Sequence, residues 1–225
     1  MPPAPPRATP PRHIFLTGGT GYMGRRLAER LVARGHAVRA LARAGSEARL
    51  PGGVEVVQGD ALHGISYAAR VAPAETFIHL VGVSHPSPAK AQQFLSVDLA
   101  SVAAAVPAAV TAGVRHFIYV SVAHPAPLMQ AYIAARVRAE AVIRDSGLPA
   151  TILRPWYVLG PGHWWPVLLS PLYALGRVLP PTREGARRLG LVTLDQMLAA
   201  LVAAVEAPAD GWRVVDVPHI QRSRP

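Results

Sequence analysis

The chain has 225 residues, enough for one large hydrophobic core and thin for two. It is 51% hydrophobic and 16% charged, which excludes a wholly disordered protein. The 23 basic residues outnumber the 13 acidic ones for a formal charge of +10, a balance that ordinarily points toward nucleic acid or an anionic membrane. Here, however, only Lys90 is a lysine, and the arginines are spread along the whole chain. That pattern fits a general arginine bias better than a binding patch. The absence of cysteine excludes disulfides, thiolate metal sites and cysteine nucleophiles, and it fits a reducing, cytoplasmic setting.

Residues 1–12 are Pro-rich, lack the apolar run of a secretory signal, and read as a disordered arm. His13–Thr17 is a buried-strand run. Helical periodicity follows over 22–34, with Leu27, Leu31 and Val32 on one face and Gly35 as the closing residue. Strands are predicted at 38–42, 54–58 and 76–82, with a Gly/Ser/Pro-rich loop at 43–53. A long helix spans 89–112, kinked at Pro107 and closed by Gly113. A fifth strand spans 115–121, a helix 132–145, and a sixth strand begins at 150–153. The uncharged stretch 155–176 is long enough to cross a bilayer, but Pro155, Pro161, Pro166 and Pro171 interrupt it, so no transmembrane segment is expected there. Residues 189–193 lead into a helix from Asp195, a last strand covers 212–217, and 219–225 read as a tail. The alternation predicts a single α/β domain over 13–218 with a parallel sheet, and a small irregular C-terminal lobe at 155–190.

Between the first strand and the first helix stands Thr17-Gly-Gly-Thr-Gly-Tyr-Met-Gly24. Gly18, Gly21 and Gly24 at intervals of three suit a tight turn through which backbone amides and a helix N-terminus approach a pyrophosphate, with Thr20, Tyr22 and Met23 between them. The second strand ends at Arg43, without the acidic residue that would bind a ribose 2′-hydroxyl. A guanidinium there suits a 2′-phosphate, so the expectation is NADP, with NAD the alternative. Asp60 follows the third strand and either meets an adenine amino group or caps the next segment.

Ser121 ends the fifth strand. Tyr132 and Arg136 stand four apart, on one helical face. A phenol beside a fixed cation can move a proton near neutrality, although a strand-closing serine and a surface arginine account for the same residues. The glycine turn, His79-Leu-Val-Gly82, Tyr119-Val-Ser121, Tyr132-Ile-Ala-Ala-Arg136 and the segment Leu153-Arg-Pro-Trp-Tyr-Val-Leu-Gly-Pro-Gly162 together resemble the short-chain dehydrogenase/reductase superfamily, in its extended and atypical branches. The resemblance covers residues 12–218. It implies a Rossmann-type doubly wound sheet that binds NAD(P). Gly18, Gly21 and Gly24 would lie at the pyrophosphate and Asp60 near the adenine. Leu80, Val81, Gly82 and Pro155 would lie beside the cofactor, with Ser121 and Tyr132 as catalytic residues. Two departures stand out: Arg136 replaces the family's lysine, and Val122 replaces the second serine of its strand-end pair.

The reading is thus an NADP(H)-dependent oxidoreductase acting on an apolar carbonyl or quinone. Tyr132 would be proton donor, Arg136 would hold the nicotinamide ribose and Ser121 would position the carbonyl. The alternative is a non-catalytic NAD(P)H-binding sensor or assembly protein. Trp156, Trp164, Trp165 and Tyr173, flanked by Arg183, Arg187 and Arg188, fit an apolar substrate, a peripheral membrane contact, or equally a C-terminal lobe that packs on the sheet with its arginines solvated. No metal-ligand spacing among the nine histidines, no Gly-x-Ser-x-Gly elbow and no nucleic-acid-binding motif is present.

Overall fold

The structure, a computed structural model, describes residues 10–161, 185 and 188–224. Seven parallel strands form the main sheet: β1 (His13–Thr17), β2 (Ala37–Ala42), β3 (Val54–Gln58), β4 (Thr76–His79), β5 (His116–Val120), β6 (Ala150–Arg154) and β9 (Trp212–Asp216), in the order β3-β2-β1-β4-β5-β6-β9. The order reverses between β1 and β4. In such sheets the crevice beyond the strand ends at that point receives the ligand.

Strands buried on both faces alternate in what they show each layer. On one face Phe15, Phe77 and Phe117 stand in register across β1, β4 and β5, with ring centroids 5.2 and 5.1 Å apart. They pack under α3 (Ala100–Thr111) and α4 (Gln130–Asp145) together with Val102, Ala105, Ala139 and Ile143. On the other face Ile14, Leu16, Ile78 and Ile118 meet Leu27 and Leu31 of α1 (Tyr22–Ala33) and Met197, Leu198 and Leu201 of α5 (Leu194–Glu206). Helix α1 stops where the periodicity places its end. Gly35 takes φ +83°, which lets His36 N–H reach Leu31 O and Gly35 N–H reach Val32 O. Helix α5 begins at a capping box of Thr193 and Gln196.

Five details differ from the sequence reading. The fourth strand ends at His79, because after Leu80 N–H bonds Thr17 O the chain leaves the ladder. The long helix is composite: a 3-10 turn at Pro88–Lys90, α2 (Ala91–Gln93), a π-helix at Phe94–Leu99, then α3, which runs on through Pro107. By length and composition the run Pro88–Thr111 would span a bilayer, but its inner face is part of the core under the sheet. Between β6 and α5 a second, two-stranded parallel sheet joins β7 (Tyr157–Leu159) to β8 (Leu191–Thr193). The expected tail at 219–225 is instead folded as far as Arg222. Asp216 and Pro218 start α6 (Val217–Arg222), which buries Val217 and Ile220 in the core. Arg12 is likewise part of the fold rather than an arm, since its N–H donates to His36 Nδ1 at 3.2 Å. Trp164, Trp165, Tyr173, Arg183 and Arg187 lie outside the described residues.

Candidate functional site

The glycine turn closes the C-terminal end of β1. Gly18 has φ +77°, and a Cβ there would stand 2.8 Å from the Leu80 carbonyl carbon. Gly21 N–H bonds Gly18 O at 3.0 Å, and a Cβ on Gly24 would stand only 2.1 Å from that same oxygen. Gly18 therefore serves the left-handed turn and its close approach to the β4 exit, and Gly24 the close contact of α1 with that turn. Helix α1 starts without a side-chain cap and without an acidic residue in its first turn. Its leading amides and the positive end of its dipole are thus left for an anion.

In front of them is a cavity of about 250 Å3. Eight of the predicted residues line it together: Gly18, Thr20, Gly21, Arg43, Asp60, Leu80, Val81 and Gly82. Leu41, Gly59, Ala61 and Leu62 complete the wall; these neighbours of the predicted positions carried no signal of their own in sequence. Arg43 is exposed and forms no ion pair among the described residues. Asp60 accepts from Leu62 N–H at 3.0 Å and pairs with His63 Nδ1 at 3.1 Å. The Leu62 amide holds its carboxyl below the usual carboxylate range against partial burial, with help from His63 and Arg43. It caps its own turn while facing the cavity. The set fits a dinucleotide: a Cβ-free cradle and helix amides for the pyrophosphate, an exposed guanidinium after β2, and a carboxylate after β3.

Seven predicted residues do not line it: Tyr22, Met23, Gly24 and Pro155, and the group of Ser121, Tyr132 and Arg136 around α4. Tyr22 begins α1 with Oη where a Cβ on Gly160 would come within 2.2 Å, and the Arg26 guanidinium lies 4.5 Å over its ring. Met23 packs on the core. Gly24 acts through the turn, and the Pro155 carbonyl accepts from Ala123 N–H at 2.9 Å.

Helix α4 does align Tyr132 with Arg136, and it adds Glu140 one turn further on. Tyr132 is half-buried, its ring 5.0 Å from that of Phe94, within an apolar group of Val122, Ala126, Ile133, Trp156 and Leu189. The Arg136 guanidinium lies 5.1 Å over that ring and is itself buried. It donates to Tyr119 Oη at 3.0 Å and Val120 O at 2.8 Å and pairs with buried Asp98 at 2.5 Å. Burial pushes the Asp98 carboxyl up against the pull of Arg136. Ser121 donates to Glu140 Oε1 at 2.6 Å, and Arg154 closes on the same carboxylate. Beyond Ser121 a second cleft of about 360 Å3 is lined in part by His124, Arg154, Arg188 and Asp216. Burial, with Arg154 nearby, holds His124 below its ordinary value. Asp98 and Glu140 escaped the sequence reading. The only available signals were the i+4 spacing of Glu140 from Arg136 and a lone acid in the apolar run around Asp98.

A buried polar chain stands behind this region. Ser101 Oγ donates to Asp98 O at 3.1 Å, so it accepts from His79 Nε2 at 3.0 Å. His79 Nδ1 then accepts from Thr17 Oγ1 at 2.8 Å. Burial, with Arg136 nearby, takes the His79 pKa down to about 3, so the ring is neutral.

Residues 18–160 match the NAD(P)H-binding family. The chain belongs to it. A Caulobacter vibrioides protein named ceramide reductase is 30% identical over 216 residues, which cover 93% of this chain and 65% of that protein. A Streptomyces protein named 3-diazoavenalumate denitrifying reductase is 28% identical over 225 residues, covering 88% of this chain and 73% of its own length. Among solved structures, the Bordetella bronchiseptica enzyme WbmH in complex with NAD+ superposes with a TM-score of 0.68 at 20% identity, covering 90% of this chain and 75% of that one. The UDP-glucuronic acid 4-epimerase of Bacillus cereus, in complex with NAD, gives 0.67 at 15% identity, covering 91% and 77%. These structures share the fold of the NAD(P)H-binding domain described above.

Proposed function

We propose that this chain is an NADP(H)-dependent reductase of an apolar, long-chain carbonyl compound. The observation that carries the reading is the single cavity in which the glycine turn, Arg43, Asp60 and the Leu80–Val81–Gly82 backbone converge. Gly18, Gly21 and the amides of α1 would hold the pyrophosphate, Asp60 the adenine edge, and Arg43 a 2′-phosphate. A dihydronicotinamide, when bound, supplies a hydride to the carbonyl carbon. Tyr132 supplies the proton to the carbonyl oxygen, so that carbonyl, hydride and proton sum to an alcohol. Val122, Trp156 and Leu189 beside Tyr132 form an apolar wall for the substrate. His124 and Arg154 in the neighbouring cleft are offered to its polar end. The relative named ceramide reductase supports the same substrate class.

One observation favours a second reading, a cofactor-binding protein without turnover: Ser121 spends its proton on Glu140, and Arg136 spends its charge on Asp98. NADPH oxidation against a panel of long-chain ketones and quinones, with wild type and Tyr132→Phe, separates the two. The reductase reading expects turnover that Tyr132→Phe lowers by about a hundredfold or more with NADPH affinity retained. Tight NADPH binding with no oxidation in wild type decides for the binder.

A further inference from the structure

Four features meet beneath the cofactor cavity. The helical run after β4 widens into a π-helix at Phe94–Leu99, a rare form that persists where tertiary contacts hold it. This π-helix carries Asp98, whose side chain is wholly buried, against α4. Asp98 Oδ1 contacts Arg136 Nη2, while Oδ2 accepts from Val83 N–H at 3.1 Å. The guanidinium spans Asp98, Tyr119 Oη and Val120 O at once, which needs the planar fork of an arginine and not the point donor of a lysine. Above it Gly82 passes so close that a Cβ would fall 2.4 Å from Nη2. Gly82 also lines the cavity.

We infer that Asp98 is a positioning residue for cofactor binding, which uses Arg136 as a fixed strut to hold the Leu80–Val83 backbone in the shape the nucleotide needs. Arg136 then serves the cofactor through Gly82 and Val83 and does not itself grip the ribose. The inference rests on reading this cavity as the NAD(P)H site. Either charge alone would be buried without a counter-charge, so the two residues act as a unit.

A double-mutant cycle on the full chain tests this, with Asp98→Asn, Arg136→Gln and the pair together. Circular dichroism checks folding. NADPH fluorescence titration gives affinity and reports the surroundings of the nicotinamide. Hydrogen exchange across 80–83 is measured without cofactor. Each single change is expected to weaken NADPH by about tenfold and to speed exchange at 80–83, and the double variant is expected to lose no more than the worse single. Wild-type affinity in Asp98→Asn beside a loss in Arg136→Gln would make Arg136 the ligand and overturn the inference, as would additive losses. If a single variant does not fold, the double, which leaves no unpaired buried charge, is expected to fold and bind about tenfold more weakly. Unchanged binding would then overturn it. If wild type binds neither NADPH nor NADH, the cavity reading fails, and exchange still decides the strut: equal protection of 80–83 in wild type and Asp98→Asn refutes it, and lost protection supports it.

Discussion

Alanine at Gly24 is the sharpest perturbation of the glycine turn. Its Cβ would stand 2.1 Å from Gly18 O, 2.8 Å from the Gly18 carbonyl carbon and 2.9 Å from Gly19 Cα, where ordinary contact begins near 3.4 Å. All three atoms are backbone, so no rotamer relieves the clash and α1 must retreat by more than an ångström. Overpacking at such a contact costs about 1–3 kcal/mol, or roughly 3–10 °C in Tm for a chain of this size. The same retreat would carry the leading amides of α1 away from the proposed pyrophosphate position, and losing one charge-assisted hydrogen bond costs about 1.5–3 kcal/mol. NADPH should therefore bind at least about tenfold more weakly. Gly21 is the internal control for stability, since its Cβ would meet only Gly18 O, at 3.1 Å. Thermal melts and NADPH titrations of both variants decide the matter. A Gly24→Ala protein that melts and binds like wild type, or a Gly21→Ala protein whose Tm falls as far, refutes the close-packing account.

Arg43→Asp should weaken NADPH by about tenfold or more while leaving NADH within about threefold, because only the former brings a 2′-phosphate to that position; equal losses would remove Arg43 from the role. Phe77→Ala empties the centre of the aromatic row between Phe15 and Phe117, and urea unfolding should show a loss of about 3–5 kcal/mol; a loss under about 1 kcal/mol would contradict the packing. Stability should also fall with acid. Burial lowers His79 to about 3 and His116 to about 4, so between those values and the unfolded value of 6.5 the unfolded chain holds protons that the folded chain does not. The contribution is complete above about pH 6.5, and going from pH 7 to 5 removes about 2 kcal/mol per histidine. Urea curves that do not move between those pH values would show that the rings are not buried neutral.

What the sequence disclosed follows from what is local. The central strands of the parallel sheet are buried on both faces, so they read as unbroken apolar runs such as Ile14-Phe15-Leu16, and the glycine turn is written in eight consecutive residues. The β7–β8 pair was hidden because each strand has three residues and its partner lies far along the chain. Helix α6 was hidden because its six residues offer only Val217 and Ile220 to the core. The π-helix was hidden because a 3.6-residue period runs smoothly through 89–112, and the widening answers to a contact with α4.

Arg136 shows the limit most sharply. Its spacing from Tyr132 fixed the face of the helix but not the counter-ion, and the counter-ion decides whether a guanidinium points at a ligand or at its own protein. The excess of arginine reads differently for the same reason. Arg30, Arg34, Arg39 and Arg115 pair at the surface with Asp195, Glu206, Glu55 and Glu75, while Arg136 and Arg154 pair with the buried Asp98 and Glu140. The +10 of the composition therefore overstates the field at the cavity beside the glycine turn. Among the described residues that line it, Arg43 is the cation, set against Asp60. The proposal of a phosphorylated nucleotide thus rests on one exposed side chain, Arg43.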